Sequence, residues 1–224
     1  MRMPKQPDYA ALFADTNAFR QKLINRLSGK LPGKDAQYKL APVIRLRELE
    51  NTIETNDAVE SSVLIVLYPE QGSISTIVIL RNEYEGAHSG QISLPGGRKE
   101  RDDADNYSTA LREAREEIGI DTMELEFCGE LSPLFISRSN YIVHPFVAIT
   151  HQVPQIINDP VEVQKVITFS LFELCGEHAV GEKMFHYGKG LTFNAPGFEV
   201  GGHFMWGATA MIFSEFLAII KEIA

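Results

Sequence analysis

Apolar positions along the chain fall into blocks of two periods. From Tyr9 to Leu27 the residues Leu12, Phe13, Phe19, Leu23, Ile24 and Leu27 recur at helical spacing, which predicts a helix over 9–27. "SGKLPGKDAQ" breaks that pattern with glycine and proline. "YKLAPVIRLRELEN" follows as a short segment of unassigned type. A dense β-branched run from Val63 to Leu67 predicts a strand stopped by Pro69, and Ile74 to Leu80 predicts a second. The short link "PEQGS" makes the two an antiparallel hairpin. A loop with one short strand, Gln91 to Leu94, leads to a helix over Asn106–Ile118. "MELEFCGELS" and "YIVHPFVAI" read as further strands, and "VQKVITFSLFEL" as a strand running into another element. "MFHYGKGLTFNAPGFEVGG" reads as a glycine-rich hairpin, and from Gly207 "ATAMIFSEFLAIIKEIA" as an apolar helix. Neither an internal repeat nor a low-complexity tract is present. The pattern predicts a mixed α/β (α+β) domain over 58–224, preceded by a partly helical extension over 1–57. The hairpin argues against a purely parallel sheet.

The helix over Asn106–Ile118 carries an anomaly. At about 100° per residue, Glu116 and Glu117 lie within about 60° of Glu113, so three carboxylates share one face. Tyr107, Leu111, Ala114 and Ile118 form an apolar stripe on the opposite side. Asp105 or Asn106 can cap the start and Gly119 can end the helix. Glu116 and Glu117 then stand in the last turn, where the helix dipole disfavours anions by roughly 0.3–1 kcal/mol each. Arg112 can pair with Glu116, but one exposed pair is worth only about 0.3–0.5 kcal/mol. Two readings are open: a solvated acidic face, or a cradle for a divalent cation that removes the repulsion.

Composition narrows the field. With a formal net charge of -9 over 224 residues, the chain is a poor candidate for nonspecific nucleic-acid or membrane binding. An anionic small substrate stays compatible, provided local Arg, Lys or metal ions offset the repulsion. Cys128 and Cys175 lie in apolar surroundings without a partner motif and read as small core residues. The first residues contain no continuous apolar signal-peptide region, and no run approaches a membrane span, so a cytoplasmic setting is expected.

The string "GGRKERDDADNYSTALREAREEIGI" resembles the box of the Nudix hydrolase family: Gly, five residues, Glu, seven residues, Arg-Glu, apolar, any, Glu-Glu, any, Gly, apolar. Arg112 to Ile120 fits the second half at every position. Gly97 to Arg112 is one residue longer than the standard box, and Ala104 stands at the distance of the early Glu, with Asp102, Asp103 or Asp105 as substitutes. Upstream, "LRNEYEGAHSGQISLPGG" resembles the signature of the coenzyme A diphosphatase branch in Arg81, His88, Gly90, Gln91, Pro95, Gly96 and Gly97. It departs at Asn82 (Ser or Ala in the branch), Gly86 (Arg) and Leu94 (Phe). "FMWGATAMI" also looks like the branch, and the resemblance covers about Val63 to the C-terminus.

The resemblance implies a Nudix-type α/β/α sandwich and hydrolysis of a diphosphate linked to another moiety, dependent on Mg²⁺ or Mn²⁺. Glu113, Glu116 and Glu117 become metal ligands, with the carbonyl of Gly97 as a further one, and Arg112 orients a glutamate. Glu162, in "DPVEVQKVITF", is the expected general base, with Glu113 the other candidate. Arg81, His88 and Gln91 are expected to bind substrate. Arg98, Lys99 and Arg101 are expected to be solvated, and Trp206, Tyr141 and Phe146 to pack. Coenzyme A is the expected substrate, giving 4′-phosphopantetheine and adenosine 3′,5′-bisphosphate. Another nucleoside diphosphate derivative is the alternative, kept open by Gly86, and a noncatalytic nucleotide sensor is a third reading, disfavoured because all three helix carboxylates are retained. The extension is compatible with covering the site, binding substrate or mediating a homodimer.

Overall fold

The computed structural model describes residues 7–45, 57–82, 90–176, 178–187 and 191–224. The expectations for His88, for Gly86 and for the end of the segment "YKLAPVIRLRELEN" fall outside these residues. The central strand β1 (Val59–Glu70) forms a hairpin with β2 (Ser73–Arg81), in antiparallel register from Leu67 opposite Thr76. On its other side β1 runs parallel to β7 (Tyr141–Ile149), from Val59 opposite Tyr141 to Leu67 opposite Ile149. Adding β3 (Ile92–Ser93) and β5 (Glu126–Glu130) gives the order β3-β2-β1-β7-β5. Three more strands pair off this path: β4 (Gly96–Arg98) with β1, β6 (Leu134–Ile136) with β7, and β8 (Val163–Ser170) with β2. Except for the parallel β1–β7 pair, these pairings are antiparallel, so the sheet is mixed as expected.

Both faces of this sheet are covered, which explains why β1 reads as a continuous apolar run rather than an alternation. Leu64, Val66 and Tyr68 face one cluster with Ala110, Ala114 and Ile118 of the acidic helix. Ile65 and Leu67 face the other, with Phe213 and Phe216 of the C-terminal helix. A smaller antiparallel sheet, β9 (Val180–Tyr187), β10 (Leu191–Val200) and β11 (His203–Trp206), leads into that helix.

The predicted helix over 9–27 is instead two, α1 (Tyr9–Ala14) and α2 (Thr16–Leu27). Asp15 is the cause. Its backbone is extended, and its carboxylate accepts from the amides of Asn17 and Ala18, both at 3.0 Å. A short acceptor side chain that caps the following turn ends the preceding helix. Leu12, Phe13, Phe19, Leu23 and Leu27 of these helices sit in the same core cluster as the C-terminal helix. After α3 (Lys34–Gln37) and the acidic helix α4 (Asn106–Ile118) comes α5 (Gly207–Ile223). Glu215 of α5 is fully buried. It accepts from the amide of Gly33 and the side-chain nitrogen of Gln37, each at 2.9 Å, and from the hydroxyl of Ser132 at 2.7 Å. A buried carboxylate needs such donors, and this one ties the N-terminal segment to the sheet.

Candidate active site

Helix α4 ends where the sequence placed its ends. Asp105 caps the start by accepting from the amide of Ser108 at 2.7 Å, and Gly119 closes the helix in the left-handed conformation. The helix lies across β1 with Ala110, Ala114 and Ile118 buried. That placement brings its C-terminal half against β4, where the sequence reading had only loop. A Gly-Gly step offers no side-chain signal for a strand. Gly96 has φ of 153° with its Cα hard against β1, so that an added Cβ would lie 2.2 Å from the Ser62 carbonyl oxygen. At Gly97 an added Cβ would fall 2.5 Å from the Glu113 carboxylate, which therefore rests directly on the glycine backbone.

The three carboxylates do not share one environment, contrary to what the helical wheel suggested. The Glu116 side chain is half exposed, that of Glu113 is 14% exposed and that of Glu117 is 1% exposed. Glu117 turns beneath the helix and accepts the Gly96 amide at 2.8 Å, with Arg81 Nη1 at 3.4 Å. Burial pushes its carboxyl up to about 7, against the lowering effect of the Gly96 amide and Arg81; the charges of Glu113 and Glu162 add to the rise. Glu113 is raised for the same leading reason, burial, opposed by Arg112 and reinforced by Glu116 and Glu162.

Arg112 sits at the centre of the carboxylates. Its Nη1 donates to Glu113 at 2.8 Å and to Glu116 at 3.0 Å, while Nε and Nη2 grip both oxygens of Asp103 at 3.0 Å. Of the three aspartates left open by the sequence, Asp103 is the one that Arg112 contacts, and Asp105 caps the helix. The Arg112 guanidinium holds the Asp103 carboxyl well below the usual carboxylate range, and the Glu100 amide and Thr109 hydroxyl add to this.

Glu162 is exposed and lies in the turn that leads into β8. Its turn docks on the end of α4: the amides of Ile157 and Asp159 donate to the carbonyls of Ile118 and Glu117 at 2.9 and 3.1 Å. These are carbonyls the helix itself leaves without partners. The "NDP" turn signal at Asn158 to Pro160 was readable in the sequence, but its destination was not. Arg81 ends β2 at a bulge, and its amide donates to the Gln91 carbonyl at 3.1 Å. Arg81, Gln91, Gly97 and Arg98 border a cavity of about 440 Å³ between the sheet and α5. Its other walls include Val63, Ile92, Leu94, Ile136, Val143 and Ile212. Tyr141, expected only to pack, lines this cavity, and Arg98, exposed as expected, borders it too. Phe146 packs as expected against Tyr107 at 5.4 Å, and half-buried Trp206 stacks on Phe185 at 4.2 Å. Both cysteine thiols are pushed up to about 12 by burial, as befits packing residues.

Among the described residues no three His, Cys, Asp or Glu side chains stand close enough together to hold an ion as they are placed. The donor set nonetheless fits a hard divalent cation. Glu113, Glu116 and Glu117 would supply carboxylate oxygen and Gly97 a carbonyl, the oxygen donors such an ion favours.

The NUDIX domain profile matches residues 59–186, from the start of β1 almost to the end of β9. Nudix hydrolase 15, mitochondrial, of Arabidopsis thaliana is 32% identical over 168 residues, covering 72% of this chain and 59% of that protein. Mitochondrial coenzyme A diphosphatase of Mus musculus is 31% identical over 154 residues, 68% of this chain and 73% of its own length. An uncharacterised Nudix hydrolase, NudL, of Yersinia pestis is 29% identical over 202 residues, 88% of this chain and 92% of its own. The matched span holds the acidic helix, the glycine step beneath it and the arginine clamp that binds the two together, and on that footing the chain belongs to the NUDIX domain family.

Proposed function

We propose that the protein is a divalent-metal-dependent hydrolase that cleaves the diphosphate of coenzyme A or a derivative, releasing 4′-phosphopantetheine and adenosine 3′,5′-bisphosphate. One observation carries the reading. Glu113 and Glu117 converge on the Gly96–Gly97 step at the border of a cavity that sets aliphatic side chains such as Val63, Leu94 and Ile212 beside the polar Ser61, Ser93, Ser139 and Thr209. A wall that mixes apolar surface with single hydroxyls suits a long uncharged arm carrying amide groups. The mouse relative named a coenzyme A diphosphatase supports the same substrate.

Glu113, Glu116, Glu117 and the Gly97 carbonyl would hold the ion. When bound, it neutralises diphosphate charge and lowers the pKa of its water. The protein does the rest by positioning. Arg112, anchored on Asp103, fixes Glu113 and Glu116, and the Gly96 amide fixes Glu117. Arg81 presents a cation to the anionic substrate beside Glu117. Glu162, exposed and close enough to raise both buried glutamates, takes the proton from the attacking water. Glu113 is the weaker candidate for that step because Arg112 already engages it.

A second reading, a different nucleoside diphosphate derivative, is favoured by Gly86 in place of the arginine of the branch. A substrate panel with Mg²⁺ separates the two. Coenzyme A should turn over faster than ADP-ribose, NADH or nucleoside triphosphates, judged by kcat/KM. A flat or reversed preference would reject coenzyme A.

A further inference from the structure

Asn82 follows Arg81 at the end of β2, at a position where the resembling branch carries Ser or Ala. Its side-chain amide donates to the carbonyl of Pro160 at 3.0 Å and to that of Val161 at 2.7 Å. Its backbone amide donates to the carbonyl of Glu162 at 3.3 Å. Three consecutive carbonyls of one turn therefore point at a single residue. The turn's other anchors lie at its ends, where the Asp159 amide donates to the Glu117 carbonyl and the Asn158 side-chain amide donates to the Val163 carbonyl at 3.1 Å. Pro160 has no amide hydrogen, and the amides of Val161, Glu162 and Val163 all go to Asp159.

We infer that Asn82 is a positioning residue, holding the 159–162 turn so that the Glu162 carboxylate faces the glutamates of α4. This rests on the reading of Glu162 as general base given above.

The chemistry of the side chain is specific to the task. Only a terminal amide of this length offers two N–H donors to two neighbouring carbonyls. A serine hydroxyl offers one donor, alanine none, and an aspartate would set acceptor against acceptor. The connection is also short. The same turn is held at its other edge by the Glu117 carbonyl, which accepts from the Asp159 amide at 3.1 Å. Asn82 thus closes a clamp around the turn, with a metal-site glutamate on one side and Arg81, the cation beside Glu117, on the other. The backbone of Asn82 contributes to this in any variant; the two side-chain donors are what a substitution removes.

The test is a double-mutant cycle with N82A, E162Q and the pair, measured on the best diphosphate substrate of the panel with Mg²⁺. N82D and N82S serve as further variants if N82A folds poorly. Asn82→Ala should lower kcat about 10-fold with KM within about twofold, because a displaced base slows proton transfer without weakening binding. Asn82→Ser should fall between. In the E162Q background, N82A should change kcat by less than about twofold, since the group it positions is gone. Independently of activity, amide exchange at Val161, Glu162 and Val163 should quicken about 10-fold in N82A while α4 stays protected.

Additive losses in the cycle, unchanged kcat in N82A, or a loss confined to KM or to global stability would each overturn the role of Asn82. Full activity in the single variant E162Q would instead overturn the reading of Glu162, and the positioning role with it. The E162Q single variant alone tells these failures apart.

Discussion

At the scale of single residues, Glu117 shows how a buried carboxylate makes stability depend on pH. It is buried, and burial raises its carboxyl from an ordinary 4.5 to about 7. A group raised on folding contributes stability that is complete below its unfolded value and lost as pH climbs through the folded one. Metal-free protein should therefore lose roughly 1–3 kcal/mol between about pH 5 and pH 8 through this residue. Glu117→Gln should flatten that loss and raise the metal-free Tm at pH 8, while lowering turnover at least about 100-fold. Parallel pH profiles of Tm for the two proteins would reject the first expectation. Near-normal turnover in the variant would reject the second.

At the scale of elements, helix α4 was legible from end to end because its signals are local. An aspartate that reaches the Ser108 amide starts it, and a glycine that accepts positive φ stops it. What lay beyond local pattern was where its face would land. The wheel grouped three glutamates, but the sheet beneath sorted them, burying Glu117 against Gly96 and leaving Glu116 in water. Likewise the sequence left three aspartates as candidates, and only the fold of the 98–105 segment brought Asp103 onto Arg112. That segment and the helix act as one unit through the Asp103–Arg112 grip. Because Arg112 depresses the Asp103 carboxyl, the stabilisation is present above the unfolded value and disappears as pH falls toward the folded one. Asp103→Asn should cost about 2–4 kcal/mol at neutral pH and make the acid-side fall in Tm shallower than in the parent. It should also slow turnover, since Glu113 and Glu116 lose a fixed arginine. A variant as acid-sensitive as the parent would refute the grip.

At the scale of the whole molecule, sequence periodicity found the mixed sheet and both flanking helices but read the first segment as an appendage. Its apolar residues are at ordinary helical spacing, which says that they are buried and not against what. They belong to the core under α5, where Phe19 is 0% exposed and packs edge-on to Phe13. Phe19→Ala should destabilise the full protein by about 3–5 kcal/mol in a single unfolding transition. A loss below about 1 kcal/mol, or a separate early transition, would show the helices to be dispensable to the domain.

The parallel pairing of β1 with β7 also dictates an order of events during folding. The β1–β2 hairpin can close as soon as it is made, but the edge of β1 that pairs with β7 has no neighbour until the segment from Tyr141 to Ile149 exists. The Gly33 and Ser132 donors likewise wait for Glu215. Contacts between segments so distant along the chain form late and slowly. The nascent polypeptide therefore carries a bare, strongly apolar strand edge while the segment between β1 and β7 is being made, and this edge is where chaperone engagement or mispairing with a sister chain would begin.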